Sequence, residues 1–155
     1  MSQHVATITW KNAAGTEFAT GKYSREHTWS FDGGLTVPAS SSPAVVRAPM
    51  SNPANVDPEE AYVAAISSCH MLTFLHLARI AGFQIDAYED PAVGDMAKTP
   101  DGVSWVATVT LNPKITYAGD KRPSHDEETQ LHHKAHHGCF IAQSIKTEVK
   151  VTGHF

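Results

Sequence analysis

The hydrophobic positions divide the chain into two differently patterned parts. The first forty residues alternate as strands do. His4–Trp10 places Ala6, Ile8 and Trp10 on one face and Val5, Thr7 and Thr9 on the other. Beyond a turn at Asn12–Gly15, a second stretch runs from Glu17 to Phe31 and is closed by Asp32-Gly33-Gly34. Parity puts Tyr23, Arg25, His27, Trp29 and Phe31 of that stretch on one face. An arginine in phase with aromatic rings is either an inward-facing cation or a half-exposed cation–π residue. Pro38–Val56, with four prolines and the run Ser40-Ser41-Ser42, reads as a long irregular excursion of the kind that often carries function.

At Asp57 the period changes from two to 3.6. Asp57-Pro58-Glu59-Glu60 is a helix start, with Asp57 as N-cap, Pro58 in the first position and Glu60 closing a capping box. The helix is predicted to reach about Ala81 and to stop at Gly82. It is apolar on most faces, which predicts burial at the centre of the fold, and Ala61, Ala64, Ala65 and Ser68 would admit a second backbone closely. Residues 83–95 and 103–117 read as two strands joined around Thr99-Pro100-Asp101-Gly102. Ser124-His125-Asp126-Glu127 opens a second capped helix to about His137. Gly138 interrupts it, Cys139–Ile145 forms a short helical piece, and Lys146–Phe155 alternates as a final strand. The order predicts an α+β fold with antiparallel sheet, residues 1–155 forming a single domain.

Composition narrows the function classes. A chain of 155 residues with 41% hydrophobic and 18% charged residues is too apolar for a disordered segment. A net charge of −4 supplies no basic face, so neither nucleic acid nor an anionic membrane is an expected partner. The first twenty residues lack the pattern of a secretory signal, and the apolar window Ala61–Ala78 contains Ser67, Ser68, His70, Thr73 and His76, which argues against a membrane span. The expected compartment is the cytoplasm, where the two cysteines would not form a static disulfide.

Those cysteines are the first candidates for chemistry. Cys69 lies deep in the long helix, where a cysteine is either an inert small hydrophobe or, with a cation beside it, a nucleophilic thiolate. Arg25 is the first choice for that cation and Arg47, in the irregular loop, the second. Glu59 lies ten positions before Cys69, too far along a helix to bond to it; it either orients a cation from elsewhere or complements the helix dipole. Cys139, directly after Gly138, is expected at a helix start, where the dipole would acidify it. Two such thiols fit a peroxidatic and resolving pair. The ten histidines offer a competing reading, because His132/His136 and His133/His137 have the i, i+4 spacing of metal ligands. No His-Glu-x-x-His or Cys-x-x-Cys pattern supports it, and no metal site or cofactor is expected.

Asp57-Pro58-Glu59-Glu60 followed by Ala65-Ile66-Ser67-Ser68-Cys69-His70-Met71 resembles the first-cysteine helix of the OsmC/Ohr family, the osmotically inducible protein C and organic hydroperoxide resistance proteins. Gly138-Cys139-Phe140-Ile141-Ala142-Gln143-Ser144-Ile145 resembles its second-cysteine motif, with Phe140 where the family commonly has proline. The resemblance implies an intertwined α+β homodimer with long central helices packed against antiparallel sheets and active sites at the subunit interface. It implies thiol-dependent reduction of hydroperoxides, preferably organic, with Cys69 peroxidatic, Cys139 resolving, Glu59 as the acidic residue and Arg25 as the arginine. The partners implied are a hydroperoxide substrate and a thiol or dithiol reductant. The alternatives are a non-enzymatic stress or binding protein of the same fold and a histidine-based metal protein. The resemblance assigns no role to His70 or to the His132–His137 segment.

Overall fold

The structure is a computed structural model that describes residues 2–153. It is a mixed α+β fold that divides in sequence between Ala61 and Tyr62 into two compact units.

The N-terminal unit holds an antiparallel sheet of β1 (Ala6–Thr9), β2 (His27–Phe31) and β3 (Thr36–Ala39), in that order. β1 and β2 register Ala6 against Phe31 and Thr9 against Thr28. The predicted strand from Glu17 is strand only from His27. Its first part is a 3-10 turn (Phe18–Thr20) closed by Gly21 at φ +80°, followed by irregular chain. β3 runs two residues into what reads as loop: Pro38 sits in it opposite Thr28, and the excursion proper begins after Ala39. That excursion is tied down by side chains. Ser40 accepts from the Asn52 amide at 2.9 Å, and Glu26 accepts from Asn52 Nδ2 at 3.0 Å and Asn55 Nδ2 at 3.3 Å.

α1 (Pro58–Ile80) begins with the expected capping box: the Glu60 amide donates to Asp57 Oδ1 at 2.8 Å and the Asp57 amide to Glu60 Oε2 at 3.1 Å. It ends where Gly82, at φ +81°, takes the left-handed conformation that other residues avoid. Within the second unit it meets β4 (Gln84–Glu89), β5 (Val93–Lys98), β6 (Ser104–Leu111), β7 (Lys114–Ala118), α2 (His125–Gly138) and β8 (Glu148–Val151). The two predicted strands 83–95 and 103–117 are therefore four. Each is broken at a proline, Pro91 and Pro113, which has no amide to donate to a ladder. Asp90 seals both breaks: it accepts from the Asn112 amide at 2.6 Å and from the Ser67 hydroxyl of α1. β4 pairs with β7 and β5 with β6, both antiparallel. β8 departs from the expected all-antiparallel sheet, since it joins β6 in parallel with Leu111 beside Val151. The predicted last strand ran on to Phe155, and residues 154–155 lie outside the described residues.

Burial on α1 follows one stripe at i+4 spacing, Ile66, His70, Phe74 and Ala78. Ile66 packs with Val109 and Leu111 of β6, while Phe74 and Ala78 pack with Phe83 and with Leu131 and Ala135 of α2. Other apolar residues of the helix remain open, Leu72 at 61% and Ile80 at 63% exposure, so in the single chain it is not the centrally buried helix that its composition predicts.

Where β5 crosses α1, Gly94 admits the helix. A Cβ there would stand 2.6 Å from Val63 Cγ2. Gly94→Ala is expected to cost about 1–3 kcal/mol through overpacking, read as a lowered denaturation midpoint in urea. An unchanged midpoint would show that β5 and α1 are not in tight contact.

Candidate active site

The sequence-predicted residues form two groups. In the N-terminal unit, Arg25 and Glu59 line one cleft of about 480 Å³. Its apolar wall is Trp10, Phe18 and Tyr23, whose rings lie 4.6–5.8 Å apart centroid to centroid. Trp10 is held by its indole N–H, which donates to Ser24 O at 2.8 Å. Arg25 is held at several points. Nη1 donates to Gly21 O at 2.8 Å and Tyr23 O at 2.6 Å, the guanidinium stands 3.7 Å from the Tyr23 ring centroid, and the backbone amide donates to Met50 O. Parity placed Tyr23, Arg25 and His27 correctly at one cleft, although residues 23–26 are not strand. It misplaced the rest of the apolar wall: Trp29 donates to His27 Nε2 at 2.8 Å and Phe31 is exposed, and neither lines the cleft. Phe18 takes their place, brought there by the 3-10 turn that alternation does not foresee. Arg47 is exposed and lies outside the lining.

In the second unit the two thiols meet. Cys69 is half-buried and opens on a cleft of about 610 Å³ lined also by Leu72, Thr73, His76, Gly138 and Phe140. Cys139 is 1% exposed. Burial pushes its thiol up to about 11, and a hydrogen bond with the Cys69 side chain adds to the rise, against a weaker opposing bond from the Ala142 amide at 3.3 Å. The expected acidification is overturned for a geometric reason. Cys139 is the C-cap of α2, and only the short turn after it offers amides to its sulfur, which burial outweighs. The helical piece expected over Cys139–Ile145 shrinks to one 3-10 turn, Ala142–Ser144. Gly138 makes the meeting of helices feasible: a Cβ there would stand 3.0 Å from Thr73 Cγ2, and Thr73 Oγ1 itself donates to Cys69 O at 2.9 Å.

A third feature escaped the sequence reading. His70 of α1 and His132 of α2, 1% and 3% exposed, share a hydrogen bond of 3.0 Å between Nε2 and Nδ1, with ring planes 7° apart. Phe74 stacks on His132 at 4.3 Å. The signal available was a histidine on the apolar stripe directly after Cys69. Both imidazoles are neutral: burial, assisted by neighbouring histidines, lowers His70 to about 4 and His132 to about 3. His132 is thus engaged with His70. Among the described residues no group of three or more His, Cys, Asp or Glu side chains is arranged to hold a metal ion.

A family model described as OsmC-like protein matches residues 51–153. The chain belongs to the OsmC/Ohr family. Among solved structures, an OsmC-like protein of unknown function from Vibrio cholerae shares 46% identity with TM-score 0.96, covering 99% of both chains. An organic hydroperoxide resistance protein from Elizabethkingia anophelis shares the fold at 19% identity and TM-score 0.73, covering 99% of this chain and 96% of its own. One from Legionella pneumophila does so at 17% identity and TM-score 0.71, covering 100% and 98%. Comparison with curated protein sequences gave no match. The family match covers both cysteines, Glu59 and the His70–His132 pair, and excludes Arg25.

The neutral pair makes stability fall in acid. Below pH 6.5 the unfolded chain takes up protons that the folded pair refuses, so stability declines from about pH 6.5 towards pH 4, by on the order of a few kcal/mol. Urea denaturation at pH 7 and pH 5 should show the decline. Replacing both histidines by leucine should remove that part of the slope; an identical slope in that variant would show the pair is not the source.

Proposed function

We propose that this protein is a thiol-dependent peroxidase that reduces hydroperoxides, organic ones preferentially, with residues 1–155 acting as one OsmC-like domain. The observation that carries the reading is the contact between an accessible thiol and a sealed one. Cys69, at the cleft, attacks the distal peroxide oxygen; the O–O bond breaks, the alcohol leaves with a proton, and the sulfur becomes a sulfenic acid. Cys139 stays a thiol at neutral pH and so does not compete for peroxide. Already in contact with Cys69, it then displaces hydroxide, which leaves as water with the thiol proton, and a disulfide forms. Two electrons from an external thiol or dithiol restore the pair, so the cycle calls on no metal or flavin.

Arg25 is assigned to hold the Cys69 thiolate and Glu59 to orient the guanidinium. The reading is supported by their common cleft, whose aromatic wall suits an apolar substituent on the peroxide. Two relatives of the same fold are organic hydroperoxide resistance proteins. Residence in the reducing cytoplasm, where such a reductant is at hand, is part of the same proposal.

One equivalent of organic hydroperoxide should consume both free thiols. Cys69→Ser should abolish peroxide consumption, and Cys139→Ser should react once and accumulate sulfenic acid at Cys69, seen by mass spectrometry. Arg25→Ala should slow Cys69 alkylation and peroxide reduction about ten- to a hundredfold, the worth of a charge-assisted hydrogen bond, and Arg47→Ala should not. Thiols that survive peroxide in the folded wild type would sink the reading in favour of a binding role.

The protein is further proposed to act as a homodimer. α1 exposes Leu72 and Ile80, and Phe140 beside it is 84% exposed, apolar surface that a second copy would cover. Sedimentation at micromolar concentration should give twice the chain mass; a stable monomer would exclude the dimer.

A further inference from the structure

The buried histidine pair lies next to the thiols without belonging to them. His70 follows Cys69 on α1, and Cys139 follows His132 by seven residues, two turns of unbroken α2 and about 10 Å along its axis. The rest of the buried stripe of α1, Ile66, Phe74 and Ala78, is apolar, and apolar contacts are not directional. An N–H···N bond is directional. It needs one imidazole as donor and the other as acceptor, and it forms only when Nε2 of His70 and Nδ1 of His132 face each other in line.

We propose that the His70–His132 hydrogen bond is the positioning device of the thiol pair: it fixes where α2 lies along α1 and thereby brings the Cys139 sulfur to the Cys69 sulfur. Buried polar pairs set register in this way in helical assemblies, at some cost in stability. The need is strict, because a disulfide forms only with its two Cβ atoms about 3.5–4.5 Å apart, and a slip of one helix along the other by part of a turn exceeds that tolerance. The contact of Gly138 with Thr73 marks the same place, one turn beyond Cys69: a Cβ at residue 138 would stand 3.0 Å from Thr73 Cγ2. His70 and His132 are positioning residues; neither touches a reacting atom.

The inference deepens the proposed cycle and rests on it for its biological meaning, so its test uses no peroxide. Wild type is equilibrated with glutathione buffers: glutathione disulfide takes two electrons from Cys69 and Cys139, yielding the protein disulfide and two glutathione thiols. The variant is His70→Leu/His132→Leu, which keeps the volume and leaves no buried polar atom stranded. Its equilibrium constant for disulfide formation should fall at least tenfold, about 30 mV in potential. His132→Asn, whose side-chain amide reaches roughly where Nδ1 stood, should restore it to within about threefold. A folded double variant with the wild-type constant overturns the proposal. If the double variant does not fold, His132→Asn and His132→Leu carry the same comparison, since they differ in whether residue 132 can bond to His70, and equal constants overturn it. A wild type that forms the disulfide with glutathione but not with peroxide would refute the peroxidase reading and leave this one standing.

Discussion

The close approach of α2 to α1 is the constraint on which the second unit depends. Two apolar clusters flank it, one around Ile66, Val109 and Leu111 and one around Phe74, Ala78, Leu131 and Ala135. Between them the stripe on α1 turns polar: His70 bonds to His132, and the neighbouring Cys69 thiol faces the Cys139 thiol, which follows His132 by two turns of α2. What permits the approach is the missing side chain of Gly138, already within 3.0 Å of Thr73 at the position a Cβ would take. The buried histidines are tolerated there as neutral rings that share one hydrogen bond.

The N-terminal unit solves a different problem, that of holding a cation steady in a shallow apolar cleft. Arg25 is a long side chain with much rotamer freedom to lose. Two backbone carbonyls, Gly21 and Tyr23, and the face of the Tyr23 ring remove that freedom before any ligand arrives. All three come from the residues just before it, so the loop that presents the guanidinium also orients it. The carbonyls are neutral acceptors, so the positive charge is positioned without being cancelled.

Much of this was legible in the chain. Both helices announced themselves by capping boxes, Asp57/Glu60 and Ser124/Glu127, because caps are local in sequence and depend on nothing distant. The hairpin at Thr99–Gly102 and the stop at Gly82 were equally local. What escaped was set by tertiary context. The strand breaks at Pro91 and Pro113 were visible as prolines, yet the pairing of β4 with β7 across the β5–β6 hairpin was not. Parity found Arg25 and Tyr23 but could not supply Phe18, whose place depends on a turn. The site of Cys139 was misjudged by one element: a residue after Gly138 reads as the start of the next helix, whereas α2 continues through Gly138 and ends there. What decides the proton affinity of the sulfur is its burial, which the order of residues does not reveal. The histidine pair was invisible because its members lie sixty-two residues apart.

The unequal exposure of the two sulfurs bears on how such a site ages. A sulfenic acid that waits at the mouth of a cleft meets a second oxidant molecule in competition with its partner thiol, and the sulfinic product of that encounter is lost to ordinary reductants. Here the Cys139 thiol lies beside Cys69, is 1% exposed and holds its proton firmly, so under the proposed roles it would be screened from the oxidant and stay out of the first reaction. In a cycle of the proposed kind, the race between closure and irreversible damage is then set by a rotation about one side chain, not by the collapse of a loop. A protein built in this way would be expected to withstand a burst of oxidant better than one whose second sulfur must travel.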